Sequence, residues 1–466
     1  MKPQQQIGHT VYRLVITRRD KSELLCFPDG PYCSLPQLDI PQSQRVAEQV
    51  NAAAKNLWNL DVYSLLTIPS GPIQGSSSPV RLQVLECIRP NGPVPPTAFW
   101  VPWSSLTDTS FRDSGNLQSI RASLVECRRP GKSQCMRPFG SAGWLRDLCE
   151  WMQEHIAPLN LRLTGQFRQL TASSTFNLIR FETNGQALWF KAVGEPNIHE
   201  FRVVSTLATL FPLFLPHIVA SLPERNAWLM EEAEGTSPDT NFAEWKITSE
   251  KLAELQKQSI LNTSRLLAVG CRDVSAVSLL SCVDEFFAMI DELMKHQTKT
   301  PPSILTSEQL LTVNNKLKDV LQVLSASGIP DALNHLDFNP GNILVSDRNF
   351  TLIDWAEGAV GHPFITFQYL REHFTRHNPE SRRRLTELTS SYAERWDGFG
   401  SSLAISRCLY FSPLVAVFAC AVSSRTWRDP ARLANPETAG YFRGLARRMK
   451  READALNNGR LGFTCA

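Results

Sequence analysis

Runs of β-branched and other apolar residues open the chain. Val11-Tyr12-Arg13-Leu14-Val15-Ile16 predicts a strand, as does Leu24-Leu25-Cys26-Phe27 before the turn Pro28-Asp29-Gly30. Val46, Val50, Ala53 and Leu57 recur at helical spacing and predict a helix over 43–57. The strand pattern returns at 82–88 and 98–101, with a Gly/Ser/Pro-rich loop over 70–79 between helix and strands. From Thr107 to Gly140 the chain turns polar, carries Arg128-Arg129-Pro130-Gly131-Lys132, and reads as a connector. Trp144, Leu148, Trp151 and Met152 then predict a docking helix over 144–156.

The middle of the chain repeats the strand pattern. Phe176 to Phe181 and Ala187 to Ala192 read as a hairpin about Asn184-Gly185, followed by an amphipathic segment, His199 to Leu207, and a strand, Ala227 to Ala233. Beyond Gly235 the period lengthens to three or four. It predicts helices over 249–267, 281–296 and 307–325, the last stopped by Gly328-Ile329-Pro330. Further helices follow from Leu370 to Arg448, where Trp396, Tyr410, Phe411, Phe418 and Trp427 read as core.

One stretch departs from this plain alternation. His335-Leu336-Asp337-Phe338-Asn339-Pro340-Gly341-Asn342 is a polar loop that leads into the short apolar strand Ile343-Leu344-Val345. A turn at Ser346-Asp347-Arg348-Asn349 precedes a second strand, Phe350 to Ile353, which ends at Asp354-Trp355. Such a hairpin puts Asp337 and Asn342 at its start and Asp354 at its end. Two carboxylates and an amide oxygen make a hard-cation site suited to Mg²⁺ with nucleotide phosphates, and such a site serves phosphoryl transfer.

The pattern His-x-Asp-x-x-x-x-Asn-Ile-Leu, then Ile-Asp-Trp, resembles the catalytic and metal-binding segments of the aminoglycoside phosphotransferase and choline kinase-like family, small-molecule relatives of protein kinases. The resemblance implies an α+β, bilobal protein kinase-like fold, with a β-rich N-lobe, a helical C-lobe and ATP held between them. It implies Asp337 as catalytic base, Asn342 and Asp354 as Mg²⁺ ligands, and His335 as a residue that braces the loop. It places Lys191 on the α- and β-phosphates, with Glu200 orienting it from a helix. Glu195, beside Pro196, sits too close to the strand end for that task. Backbone groups near Glu232 to Glu234 stand where the family binds adenine.

Two departures from the family's pattern stand out. The phosphate-covering loop, often glycine-rich there, reads Gln169-Leu170-Thr171-Ala172-Ser173-Ser174-Thr175 here. After Gly361-His362-Pro363, Thr366 falls where the family has an Asp that ties down the catalytic loop. His362 reads as a residue at a helix start, with substrate contact as the other reading.

The first block resembles a Nudix domain, an α/β fold, with Leu35-Pro36 and then a helix at about the right place. A Nudix helix needs several Glu side chains for Mg²⁺, and Gln49 to Leu60 holds no carboxylate. Metal-dependent hydrolysis is therefore not expected there. The organisation expected is a non-catalytic Nudix-like α/β domain at 1–106, a linker and docking helix at 107–160, a kinase-like N-lobe at 161–235, and a helical C-lobe with catalytic loop and acceptor region at 236–466.

Composition narrows the rest. A chain of 466 residues is long enough for two or three compact units, and 42% hydrophobic with 20% charged residues is ordinary globular composition. A net charge of +3 does not point to nucleic acid, and the clusters Arg382-Arg383-Arg384, Arg447-Arg448 and Lys450-Arg451 read as solvated helix faces. The 11 cysteines show no Cys-x-x-Cys pair, and the polar segment Met1 to Ile7 lacks an apolar signal core, so a cytoplasmic location is expected. The apolar run Leu403 to Val422 carries Arg407 and Pro413 and reads as a buried helix, without a membrane span. The function expected is an ATP- and Mg²⁺-dependent phosphotransferase acting on a hydroxyl of a small-molecule acceptor. The alternative is a nucleotide-binding pseudokinase with a ligand-sensing or regulatory role.

Overall fold

The computed structural model describes residues 8–18, 22–68, 80–90, 94, 97–112, 114–128, 138–238, 241–346 and 349–457. The expected loop over 70–79, the basic residues Arg129 to Lys132, the terminal segment Met1 to Ile7 and the turn residues Asp347 and Arg348 lie outside the described residues. The chain forms two compact units: residues 1–201 with 217–232, and residues 202–216 with 233–466.

The first unit holds two sheets. The strands β1 (His9–Arg18), β2 (Glu23–Asp29), β3 (Tyr32–Ser34), β4 (Gln37–Pro41), β5 (Leu60–Ile68), β6 (Val80–Pro90) and β7 (Phe99–Pro102) form one mixed sheet. Its order is β3-β2-β1-β6-β5, with β4 beside β1 and β7 beside β2. Only β1 and β6 run parallel among these pairs. Side chains alternate across the sheet, so β1 serves two cores. Tyr12, Leu14 and Ile16 pack with Val50, Ala54 and Trp58 of helix α1 (Val46–Trp58). Val15, on the other face, joins a larger cluster.

That larger cluster joins the two sheets. Helix α2 (Leu117–Arg128) enters it through Leu117, Ile120, Leu124 and Cys127. The expected polar connector thus contains a helix, and the 3-4-3 spacing of these four side chains buries one face of it. Helix α3 (Trp144–Ile156), the expected docking helix, adds Trp144, Leu148, Met152 and Ile156. The second sheet comprises β8 (Leu163–Ala172), β9 (Asn177–Thr183), β10 (Leu188–Ala192), β11 (Ile218–Leu222) and β12 (Ala227–Glu231). It is antiparallel in the order β11-β12-β10-β9-β8 and contributes Ile179, Phe181, Leu188, Phe190 and Leu229 to the same core. Each such buried side chain is worth roughly 1.5–3 kcal/mol against exposure. Helix α4 (Glu200–Leu210) follows β10.

The second unit is mainly helical. Helices α5 (Phe242–Ser259), α6 (Thr263–Val269), α7 (Ala276–Lys295) and α8 (Ser307–Ser325) precede the short strands. Asn241 caps α5 by accepting from Ala243 N, so the helix starts at Phe242, seven residues before the expected start at 249, and Ser249 is buried in the helix interior. The start of α8 is a capping box between Thr306 and Gln309. Strands β13 (Arg272–Val274), β14 (Ala332–His335) and β17 (Gly358–Gly361) form one small sheet, and β15 (Ile343–Val345) pairs with β16 (Phe350–Leu352) in the expected hairpin. Helices α9 (Phe364–His377), α10 (Arg382–Glu394), α11 (Ser402–Ser423) and α12 (Pro436–Asn457) complete the unit. By length and composition α11 could cross a membrane, but Leu414 to Ala419 are all buried within the unit.

Candidate active site

In the second sheet, Lys191 stands on β10 between Leu178 of β9 and Trp228 of β12. Its Nζ lies 2.5 Å from Glu200 Oε1 at the first residue of α4. The side chains are 17% and 2% exposed, so the ion pair is largely withdrawn from water. The Trp228 ring lies 5.7 Å from the ammonium and closes one side of it.

The loop before β9 is fixed without glycine. Ser173 Oγ accepts from Thr175 N at 3.1 Å and Phe176 N at 3.0 Å, and Ser173 N donates to Phe176 O at 2.9 Å. A side chain at Gly194 would come within 2.7 Å of Thr175, so the chain following β10 reaches this loop only as glycine. Upstream, the buried Gln169 is clamped to the first sheet. Its Oε1 accepts from Ser64 N at 2.8 Å, and its Nε2 donates to Ser64 O at 3.1 Å and Asn177 Oδ1 at 2.7 Å. Small hydroxyl side chains thus build a tight turn here.

At the end of β12, Glu232 N donates to Ala187 O at 3.1 Å. The Arg180 guanidinium at 2.6 Å, with Trp189 Nε1 at 3.1 Å, holds the Glu232 carboxyl below its ordinary range. In the second unit, Thr236 and Val345 exchange backbone hydrogen bonds at 3.0 and 2.9 Å. Gly235 permits this approach: its φ is +114°, and a Cβ there would lie 2.6 Å from Val345 O.

The hairpin of the second unit organises the acidic residues. Ile343 pairs with Leu352, and Ile353 N donates to Asn342 O at 3.1 Å, so Asn342 stands beside the residue that precedes Asp354. Asp354 adopts the left-handed region with φ +62°, and its carboxylate is exposed. Asn342 Nδ2 donates to Asp337 Oδ2 at 3.0 Å and to Asp337 O at 2.9 Å. With both protons directed at Asp337, Asn342 Oδ1 is left to face other partners, and it accepts from none of the described residues.

His335 lies under the loop, 1% exposed. Its Nε2 donates to Ile353 O at 3.0 Å, and its ring packs 4.8 Å from that of Trp355. Burial holds its pKa below the ordinary histidine value, so the ring is neutral and braces the loop against the second strand. Asp337, one turn of loop later, is exposed.

Two residues in this region were missed by the sequence reading. Asn339 Oδ1 accepts from Gly341 N at 2.9 Å, and its Nδ2 donates to Asp337 Oδ1 at 2.8 Å. Each carboxylate oxygen of Asp337 therefore receives one amide donor. The signal was the Asn-Pro-Gly turn, in which Asn is the residue that bonds its own backbone two positions on. Asn334, buried in the strand β14, is the second. A buried amide requires partners, and its place among apolar residues was the available clue. Thr366 supplies them: Asn334 Oδ1 accepts from Thr366 Oγ1 at 2.7 Å and Thr366 N at 3.1 Å, while His335 N donates to Thr366 Oγ1 at 2.9 Å. The expected loss of an anchor at Thr366 is thus met by a neutral network. His362 is buried, and its Nδ1 accepts from Phe364 N at 3.4 Å at the start of α9, which places it away from solvent.

The order is now complete: a five-stranded antiparallel sheet with its lysine, a helix carrying the paired glutamate, a helical region, then an Asp-bearing loop and the Asn/Asp hairpin. The fold is α+β and protein kinase-like. Lys191 and Glu200 belong to the first unit; Asp337, Asn342 and Asp354 belong to the second.

No family model and no curated protein sequence matches the chain. Solved structures do. A macrolide 2'-phosphotransferase of Brachybacterium faecium is similar at 16% identity, with 62% of this chain and 98% of that one covered and a TM-score of 0.39. An ethanolamine kinase of Plasmodium vivax is similar at 11% identity, with 76% and 98% covered and a TM-score of 0.46. A choline kinase of Streptococcus pneumoniae is similar at 12% identity, with 66% and 98% covered and a TM-score of 0.41.

In the first block, the one carboxylate on α1 is Glu48, and it lies 3.2 Å from Arg168 Nε. Among the described residues no group of three His, Cys, Asp or Glu side chains is gathered as a metal site.

Proposed function

We propose that the chain is an ATP- and Mg²⁺-dependent phosphotransferase that transfers the γ-phosphate to a hydroxyl of a small-molecule acceptor. The observation that carries this is the amide arrangement about Asp337. Asn339 and Asn342 each direct Nδ2 at one of its carboxylate oxygens, which orients Asp337 and leaves Asn342 Oδ1 with no donor among the described residues. An amide oxygen and exposed carboxylates are the hard donors that Mg²⁺ takes, so the residues fit the ion. Asn342 and Asp354 would hold it, and the bound ion would supply charge neutralisation at the phosphates.

The chain's own groups do the rest. Lys191, oriented by Glu200, binds the α- and β-phosphates. Asp337 aligns the acceptor hydroxyl and takes its proton as the oxygen attacks, a positioning task more than a strong-base one. The exposed, amide-bonded carboxylate of Asp337 is suited to that task. The experiment is turnover of Asp337→Asn over a panel of alcohols. Loss of about 10²–10⁴-fold in rate with nucleotide binding retained supports the assignment; wild-type turnover in the variant refutes it.

A second reading is a nucleotide-binding pseudokinase with a regulatory role. The closed Ser173–Phe176 turn favours it, because a rigid cover offers phosphate less intimate backbone contact than glycine. Nucleotide binding without turnover over the same panel selects this reading. The first block is proposed as a non-catalytic, Nudix-like module, since α1 does not supply a set of metal ligands. The buried thiols Cys87, Cys127 and Cys271 suit a reducing, cytoplasmic location.

A further inference from the structure

We propose that a cleft between α9, α10, α11 and α12 is a binding site for a small anion that presents phosphate or carboxylate oxygens. The cleft has a volume of about 470 Å³. Its charged lining is Arg371, Arg376, Arg448 and Arg451 against Glu372 and Glu452, an excess of positive charge on a helical surface.

Neither glutamate pairs closely with Arg371 or Arg451. Glu372 accepts an ion pair from Arg448 and lies 3.6 Å from Arg376 Nη2. Burial pushes the Glu452 carboxyl up against the pull of Arg448 and Arg451, neither of which is within ion-pair distance of it. Arg371 and Arg451 have no carboxylate within ion-pair distance among the described residues. Arg371 Nη1 donates only to the neutral oxygens of Gln368 at 3.1 Å and Leu409 at 3.4 Å, and its Nε is buried with no acceptor. Glu372 acts on Arg371 only from beyond ion-pair distance, so the guanidinium carries a desolvation cost that an oxyanion offsets by bidentate hydrogen bonds.

This cleft is distinct from the catalytic loop. At about 100° per residue, Gln368, Arg371, Glu372 and Thr375 share one face of α9, while Thr366, which braces the loop, falls on the opposite face. Phosphotransfer is not required for the site, although α9 connects the two.

Calorimetric titration of the full chain with inorganic pyrophosphate, and separately with citrate, at constant ionic strength set by chloride, tests the proposal. Saturable binding of either probe is expected, pyrophosphate marking a phosphate ligand and citrate a carboxylate one. Arg451→Ala, at an exposed position, weakens it by about tenfold, as loss of one charge-assisted partner does. Arg371→Met, which keeps the packed stem, abolishes it. Saturable binding persists in the double variant Lys191→Met/Glu200→Gln, whatever part of the pyrophosphate heat the nucleotide lysine contributes. Absence of saturable heat overturns the site. So does binding unchanged in Arg451→Ala, or binding lost in the Lys191/Glu200 variant, which assigns the heat to the other cation. If Arg371→Met fails to fold, Arg451→Ala decides the matter.

Discussion

Thr366 and Asn334 form a buried pair in which the threonine hydroxyl donates to the asparagine amide oxygen at 2.7 Å and accepts from His335 N at 2.9 Å. One hydroxyl thus fixes the backbone two residues before Asp337. Thr366→Val keeps the volume but leaves His335 N without its acceptor and removes one donor from Asn334. A stability loss of about 1–3 kcal/mol is expected for such an unsatisfied group. Urea unfolding checks it, and Thr366→Ser, which keeps the hydroxyl, should lose less.

Lys191 and Glu200 make a sharper case. Glu200 is almost fully buried, so Lys191→Met takes the ammonium away from a buried carboxylate. Breaking one half of a buried pair costs about 3–5 kcal/mol. The double variant Lys191→Met/Glu200→Gln removes both charges and should recover most of that stability, yet bind nucleotide no better than the single variant. Chemical denaturation and nucleotide titration on all three chains check both halves of the statement.

The histidines predict a pH dependence. Burial pushes His362 down to about 3 and lowers His335 as well. In the unfolded chain both titrate near the ordinary value of 6.5. Between 6.5 and about 3 the unfolded chain therefore binds the extra proton at His362 and the folded chain does not. This contribution is full above the unfolded value and is lost as pH falls, by about 1.4 kcal/mol per pH unit for one such group. Urea unfolding from pH 7 to pH 4 should show the decline, and His362→Gln should flatten it.

How much of this was legible follows from particular residues. Apolar periodicity located β9, β10, α3 and α8, and α8 begins at the residue expected, 307, because Thr306 caps it. Lys191 was picked out by the family resemblance, since a lysine near the end of an apolar strand reads by itself as a surface residue, and the structure sets it beside Glu200. Asp337, Asn342 and Asp354 were picked out as polar breaks about a hairpin that the structure contains. Helix α2 was not, because a one-sided helix of low apolar content looks like a connector until its partner surface is known. The neutral brace at Thr366 was hidden for a like reason: a hydroxyl has no spacing signature, and its value depends on Asn334 being folded against it.

The shared core of the first unit yields a further prediction. Gln169 bonds both backbone groups of Ser64, and Val15, Leu65 and Val84 of the first sheet pack in one cluster with Ile179 and Phe190 of the second. A chain lacking residues 1–106 should expose that apolar face and be recovered largely insoluble, whereas a detachable module would leave a soluble remainder. Gln169→Ala tests the polar part alone and should cost about 1–3 kcal/mol, since it leaves the Asn177 amide oxygen and the Ser64 backbone unpaired.

The most direct measurement is thermal unfolding with and without saturating ATP and Mg²⁺, on the wild type and on Asp354→Ala. Ligand at about a hundred times its Kd stabilises by roughly 2.7 kcal/mol, enough to raise Tm visibly. A Tm rise that requires Mg²⁺ and is absent from Asp354→Ala is the result predicted for a nucleotide site built on Asn342 and Asp354. An unchanged wild-type Tm at saturating ATP and Mg²⁺, or an equal rise in the variant, would contradict it.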